Sequence, residues 1–403
     1  MRSIELFSGA GGLALGIEAA GFDHVALIER DAHACSTLRT NRPAWNVIAD
    51  DVCRIPFSGF GPVDLVAGGP PCQPFSMGGK ARGHQDGRDM FPQAVRAVVE
   101  LAPKAFLFEN VRGLLRPAFQ NYVEFIRLRL SYPEFPVSDN ASWDANLRRL
   151  QRHHTEAESL PADLRYHVTL HSANAADFGV PQHRHRVFFV GFRTDLDAGW
   201  SFPHPTHSED SLLRDKWVNG TYWMRHPQAR RPTEASLPTR LRRRIEQLHA
   251  QPELLASPTA AWKTVRDAIS DLPDPRTPHT LPNHQIQPGA RSYPGHTGSP
   301  FDEPSKALKA GDHGVPGGEN MVRYPNGRVR YLTVREAARI QTFPDEFAFH
   351  GSWTETMRQL GNAVPVRFAA CVAASIADAL CAHERCPPKS AAASMEALAH
   401  APS

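Results

Sequence analysis

The sequence predicts an α/β fold in two parts: a mostly parallel, helix-flanked sheet and a smaller, irregular domain inserted into it. Three observations carry that expectation. Over residues 3–192, short apolar runs alternate with amphipathic stretches, the pattern of strand–helix units that feed a parallel sheet. Between 205 and 330, dense Pro, His and Arg replace that periodicity. Helical patterning then returns near 332.

Taken in order, the strands expected are Ile4–Phe7, His24–Glu29, Val63–Ala67, Ala105–Glu109, His167–His171 and Val187–Phe192. One amphipathic helix covers Leu13–Ala20 with Gly21 as its C-cap. Another covers Pro92–Leu101 and stops just before Pro103. Residues 130–160 read as a surface insertion of weak periodicity. Thr333, followed three residues later by Glu336, is a capping box that opens a helix through Ala337, Ala338 and Ile340. A last helix, about 365–380, carries Phe368, Val372, Ile376 and Leu380 near four-residue spacing and is expected to pack on a core. The Ala/Ser/Pro-rich tail, 386–403, is expected to be disordered.

Composition bounds the function classes. The chain has 403 residues, enough for two cores. Its 41% hydrophobic and 22% charged residues are ordinary for a soluble globular protein. A net charge of +3 neither requires nor excludes a nucleic-acid partner. No apolar run is read as approaching the roughly 18–20 residues of a membrane span. The first strand-like segment begins at Ser3, so no signal peptide is expected. The six Cys are scattered without CxxC spacing, which argues against a disulfide framework. A reduced, cytoplasmic protein without membrane attachment is expected.

The glycine loop Phe7-Ser8-Gly9-Ala10-Gly11-Gly12 follows the first strand, at the sheet edge where open α/β folds bind ligands. Glu29 ends the second strand about 20 residues on, where a carboxylate can accept ribose hydroxyls. Asp51, after Ala49, can hold an adenine amino group. Gly9, Gly11 and Ala14 also satisfy GxGxxA, so this loop alone leaves a nicotinamide or flavin enzyme open.

Gly68-Gly69-Pro70-Pro71-Cys72-Gln73-Pro74-Phe75-Ser76 follows the third apolar strand. A free Cys is most often a small buried hydrophobe. One held in a loop stiffened by three prolines at a ligand-binding edge is a candidate nucleophile. The next strand ends in Phe108-Glu109-Asn110-Val111, and an acid at the tip of an apolar strand favours its protonated form. In Gln182-His183-Arg184-His185-Arg186, alternation puts Gln182, Arg184 and Arg186 on one side, and two guanidiniums suit an anionic or carbonyl-bearing ligand. The turn Gln359-Leu360-Gly361-Asn362-Ala363-Val364-Pro365 leads into the final helix. His204, His207 and the trio Cys381, His383, Cys386 are weak ligand patterns, and no metal is expected.

With these blocks on the page, the chain resembles the cytosine-5 DNA methyltransferases paired with bacterial restriction enzymes. FSGAGG (7–12), GGPPCQPFS (68–76), FENV (108–111), QHRHR (182–186), LTVREAARIQTFPD (332–345) and QLGNAVP (359–365) occur in the family's order and span nearly the whole chain. The resemblance implies a Rossmann-like S-adenosylmethionine-dependent methyltransferase domain with a smaller, irregular target-recognition domain. The partition is then 1–195 for cofactor binding and catalysis, 196–330 for target recognition, and 331–385 for the return to the catalytic domain.

Carried over residue by residue, the resemblance implies the following. Cys72 attacks C6 of a cytosine flipped out of double-stranded DNA, Glu109 binds its N3 and exocyclic amine, and Arg184 and Arg186 orient it. Phe7, Gly9, Gly11, Glu29, Asp51, Asn362 and Val364 surround S-adenosyl-L-methionine. Thiolate addition turns C5 into an enamine-like carbon able to accept a methyl group, and a thiol leaves again afterwards. The glycine-rich segment 73–89, with Lys80, Arg82 and Arg88, is expected to close over the DNA, Gln73 and Ser76 included. Arg225, Arg230, Arg231, Arg240, Arg242, Arg243 and Arg244, downstream of Trp217, Tyr222 and Trp223, suit phosphates and guanine edges. A monomer is expected, sharing its site with a companion endonuclease. Three other readings compete. A tRNA-modifying branch of the family carries a Cys-Phe-Thr block that is missing here. A nonenzymatic DNA-binding relative would lose Cys72 or Glu109. A nicotinamide enzyme leaves the PPCQ and ENV blocks unexplained.

Overall fold

The computed structural model describes every residue except 72–88, 139–140, 157–163, 197, 251–258, 311–319 and 385–403. Its first half runs β1 (Arg2–Leu6), α1 (Gly12–Ala19), β2 (Asp23–Glu29), α2 (Ala32–Asn41), β3 (Val47–Ala49), β4 (Leu65–Gly68), α3 (Phe91–Leu101), β5 (Ala105–Val111), α4 (Gln120–Ser131), α5 (Trp143–Glu156), β6 (Tyr166–Asn174) and β7 (His185–Arg193). These strands form one seven-stranded sheet in the order β3-β2-β1-β4-β5-β7-β6. β7 runs antiparallel to β5 and β6, and the other pairs are parallel. All six expected strands are present, with ends shifted by at most three residues. β3 is an addition, too short to show in the pattern.

The central strands read as continuous apolar runs because both of their faces are covered. Ile4, Leu6, Val66, Phe106 and Phe108 point into one core with α3 and α4. Leu65, Ala67, Ala105 and Leu107 point into another with α1 and the last helix. Strand order reverses between β1 and β4, so the loops leaving their carboxyl ends diverge and open a crevice.

The second half continues with β8 (His207–Ser208), α6 (Glu209–Leu213), α7 (Thr221–Arg225), α8 (Thr239–Ala250), β9 (Ala260–Ala261), α9 (Val265–Ile269), β10 (Ser299–Pro300), β11 (Met321–Arg323) and β12 (Val329–Tyr331). It closes with α10 (Val334–Ile340), α11 (Trp353–Asn362) and α12 (Val366–Glu384). The capping box is present: the Thr333 side chain accepts from Glu336 N, and the Glu336 side chain accepts from Thr333 N.

Three expectations change. Residues 130–160 are not uniformly irregular, because α5 packs on α4 through Leu128, Leu147 and Leu150. The Arg- and His-rich surface of α5 had masked that short apolar stripe. Among the described residues, part of 205–330 has a core of its own, formed by Leu213, Trp217, Ile245 and Leu248. Val265, Ile269, Leu308 and Val322 instead share a core with α10 and Phe343, so the later part of the insertion is welded to the sheet-bearing body. Finally, Trp353–His383 contains a window long and apolar enough to cross a membrane, 67% of it buried. It is broken at Ala363 into α11 and α12, and α12 packs against α1 in the core. That makes it an internal helix. The tail 386–403 lies outside the described residues.

Candidate active site

The chain reverses direction after β1 through Phe7, Gly9 and Gly11, all at positive φ (58°, 54° and 87°). For Phe7 that conformation is costly and persists only where the surroundings enforce it. Ser8 N donates to Ile28 O at 3.2 Å and Gly11 N to Ser8 O at 2.9 Å, closing the turn. Gly9 N donates to Glu29 Oε2 at 2.7 Å and Asp31 N to Glu29 Oε1 at 2.7 Å. Glu29 is thereby fixed across the crevice, with lone pairs left for further donors. A side chain at Gly9 would meet nothing within 4 Å, so the loop faces open space there. At Gly12 the opposite holds: an added Cβ would lie 2.2 Å from Val364 O. That close approach seats the 359–365 turn on the start of α1. Val364 is buried among Leu13, Ala67 and Leu107, while Asn362 is exposed. Asp51 caps a short turn after β3: its Oδ1 accepts from Cys53 N at 2.9 Å, and Oδ2 lies 3.7 Å from Arg30 Nη1. The Cys53 contacts, and then Arg30, hold its carboxyl below the usual range.

This cradle fits the cofactor that the sequence implies. It offers an open glycine loop, a fixed carboxylate one strand away, and a second carboxylate beyond β3.

Across the switch point, β4 leads into Gly69-Pro70-Pro71. Asn110 Nδ2 donates to Pro70 O at 3.0 Å and Met90 N to Pro71 O at 3.2 Å. Asn110 therefore holds the rigid loop against the end of β5, a role the sequence reading did not give it. A polar amide directly after Glu109, at the tip of an apolar strand, was the available signal. Cys72 follows directly but, with Gln73, Ser76, Lys80 and Arg82, lies outside the described residues. Glu109 does not. Its carboxyl is buried, and a Cβ on Gly69 would sit 3.3 Å from Oε2, so the acid lies under the start of the Cys72 loop. Arg186 Nε contacts Glu109 Oε1. Burial pushes the Glu109 carboxyl above its ordinary range, and the Arg186 and Arg184 guanidiniums pull the other way.

Arg184 departs from expectation. It does share the buried side with Gln182 and Arg186, but β7 begins only at His185, and Arg184 precedes it in a loop. Its Nη1 donates to Leu308 O at 3.0 Å and its Nη2 to Gly361 O at 2.6 Å. Both ends of the fork are occupied by main chain, so among the described residues Arg186 alone contacts the Glu109 carboxyl.

The arginine row is also divided. Arg244 Nε donates to Asp210 Oδ1 at 2.8 Å, and Arg240 Nη2 to Glu209 Oε2 at 2.6 Å. These two brace α8 against α6. Arg242 and Arg243 are exposed, with no ion pair among the described residues. Arg231 lies 5.3 Å over Trp217, and Arg225 pairs with Asp215. Arg112 and Arg116, not singled out in the sequence, stand exposed on the segment that follows β5.

The family model for the C-5 cytosine-specific DNA methylases matches residues 1–136 and 148–378. The chain belongs to that family. This methylase is 34% identical over 387 residues to the type II methyltransferase M.NgoMIV of Neisseria gonorrhoeae, covering 94% of this chain and 97% of the relative. It is 33% identical to M.Eco47II of Escherichia coli, covering 93% and 78%. Among solved structures it resembles Schizosaccharomyces pombe Dnmt2 at a TM-score of 0.53 and 17% identity, covering 95% of this chain and 98% of that one. A prophage-encoded candidate DNA modification methyltransferase from Escherichia coli gives a TM-score of 0.55 at 21% identity, covering 94% and 99%. At those identities the structural matches speak for the fold alone: the chain shares the fold of these methyltransferases. The methylase is a DNA (cytosine-5-)-methyltransferase. The gap in the family match, 137–147, falls between α4 and the body of α5.

Proposed function

We propose that this methylase transfers a methyl group from S-adenosyl-L-methionine to C5 of a cytosine flipped out of a specific double-stranded DNA sequence, with Cys72 as nucleophile. The bound cofactor supplies an electrophilic methyl group. The chain's own residues do the rest. Phe7, Gly9 and Gly11 line the cofactor crevice, Glu29 accepts ribose hydroxyls, and Asp51 accepts an adenine amine. Asn362 and Val364 close the side nearest α1. Asn110 sets the direction from which the Cys72 loop reaches the base. The Cys72 sulfur bonds to C6, and Glu109, its pKa raised by burial, donates a proton to N3 as charge arrives on the ring. Arg186 holds Glu109 in place and remains a donor for the base carbonyl. After methylation the C5 proton leaves to a base and the thiol departs by elimination.

The observation that carries this reading is the buried Glu109 carboxyl beneath Gly69, three residues before Cys72. Residues 196–330 supply target recognition, with Arg242 and Arg243 as phosphate contacts. The segment 73–89 closes over the DNA. The relatives named as type II methyltransferases support pairing with a restriction endonuclease that acts at the same sequence. A monomer working in the cytoplasm suits that role. Incubation with tritiated S-adenosylmethionine and a mixture of unmethylated DNA and tRNA tests the substrate: label is expected in DNA, and label confined to tRNA refutes the proposal. A duplex with 5-fluorocytosine at the target position is expected to crosslink to Cys72 when the cofactor is present.

A further inference from the structure

The buried seam around Arg184 has no part in the chemistry just described. Arg184 is 1% exposed, and its guanidinium touches no carboxylate among the described residues. It meets two carbonyls from distant parts of the chain: Leu308 O, 124 residues away, and Gly361 O, 177 residues away. Its Nε has no hydrogen-bond partner among the described residues. Burying a cation on carbonyls alone is costly, and an Arg retained in such a place must fix something.

What it fixes is the junction of three segments. Gln182 Oε1 accepts from Leu308 N at 3.0 Å. His183 N donates to Ser305 O at 2.8 Å and Ser305 N to Pro181 O at 2.8 Å. The stretch 305–308, returning from the recognition half, is thus zipped to 181–184. On the other side, Gly361 lies so close to Ala310 that an added Cβ would be 2.2 Å from Ala310 N. Gln341 Nε2 donates to Leu360 O at 2.5 Å. Three residues beyond Gly361, Val364 O presses on Gly12 at the head of the cofactor loop. Two residues beyond Arg184, Arg186 contacts Glu109.

We propose that Arg184 is a positioning residue and not a contact to the base: its fork ties the cofactor-side turn, at Gly361, to the strap returning from the recognition half, at Leu308. The inference rests on the cofactor assignment proposed above. Its consequence is specific. Loosening the fork displaces the Gly361–Val364 turn from the cofactor crevice and the 305–308 strap from the recognition half, while Glu109 and Arg186 stay paired. Binding of both substrates then suffers more than the chemical step. A residue that orients the base gives the reverse.

Arg184→Lys tests this, because Lys keeps the charge but lacks the planar fork needed to reach two carbonyls. With the full chain, calorimetry with S-adenosylhomocysteine, filter binding to unmethylated plasmid DNA, and kcat at saturation are measured together. The expected result is affinity weakened about tenfold or more for both ligands, with kcat within about threefold of the parent. Gln182→Ala, which removes the acceptor for Leu308 N, provides a second route should the Lys variant misfold. It is expected to give the same pattern, weaker. A fall in kcat with both affinities intact overturns the proposal, as does no change in any of the three. Absence of methyl transfer to DNA by the parent protein would sink the functional reading instead, and the S-adenosylhomocysteine titration separates the two.

Discussion

Removing Arg186 isolates a buried acid, and the cost can be worked from the structure. Glu109 is 7% exposed, and Arg186 Nε is the only ion-pair partner it has among the described residues. With Arg186→Gln, burial acts with less opposition, and the Glu109 pKa rises further above its unfolded value. A carboxyl whose folded pKa is raised gives its full contribution to stability below the unfolded value and loses it as pH rises through the folded one. Between those limits the loss is about 1.36 kcal/mol per pH unit. Protonation therefore caps the penalty: relative to a pH below about 4.3, a fully neutral Glu109 costs about 3.7 kcal/mol at pH 7. An unfolding entropy of about 2.1 cal/mol/K per residue gives roughly 0.85 kcal/mol/K for a chain of this length. The slope is then about 1.6 °C of Tm per pH unit. Differential scanning calorimetry from pH 6 to 8 is expected to show Arg186→Gln losing stability more steeply than the parent, by at most about 3 °C across that range. Arg186→Gln combined with Glu109→Gln should lose the extra slope. Parallel melting curves for parent and single variant would refute the opposition of Arg186 to protonation of Glu109, and a slope that persists in the double variant would refute its assignment to Glu109.

Four further outcomes follow from the same geometry. Cys72→Ser should abolish turnover, by at least about 10³-fold, and leave DNA binding intact in filter assays; appreciable activity would remove Cys72 from the mechanism. Gly12→Ala puts a methyl group 2.2 Å from Val364 O, so calorimetry should show S-adenosylhomocysteine affinity reduced about tenfold or more, and unchanged affinity would detach the 359–365 turn from the cofactor crevice. Replacing Arg242 and Arg243 together with Ala should lower the slope of log K against log salt by about 1.8, whereas Arg240→Ala, which breaks a pair with Glu209, should change it little. Asn110→Ala frees Pro70 O, and crosslinking to a 5-fluorocytosine duplex should slow about tenfold while DNA affinity holds; an unchanged rate would mean that the loop is held by other contacts.

The sheet, the family and the order of the functional blocks are legible in local pattern. Near-continuous apolar runs mark strands covered on both faces, and Thr333 with Glu336 marks a helix start that the structure reproduces bond for bond. Gly9 and Glu29 could be paired from spacing alone, since one βα unit separates them. Tertiary structure decided what a side chain within a block touches. Arg184 and Arg186 have the same type, spacing and side, yet one meets Gly361 O, 177 residues away, and the other meets Glu109. Nothing local distinguishes them, because the partners come from segments that only the folded topology brings together. The arginine row divides for the same reason: Asp210 and Glu209, some 30 residues upstream, take Arg244 and Arg240 out of the exposed set. Pattern reports which face of an element is buried, and the carbonyl or carboxylate waiting at that face is chosen by the rest of the chain.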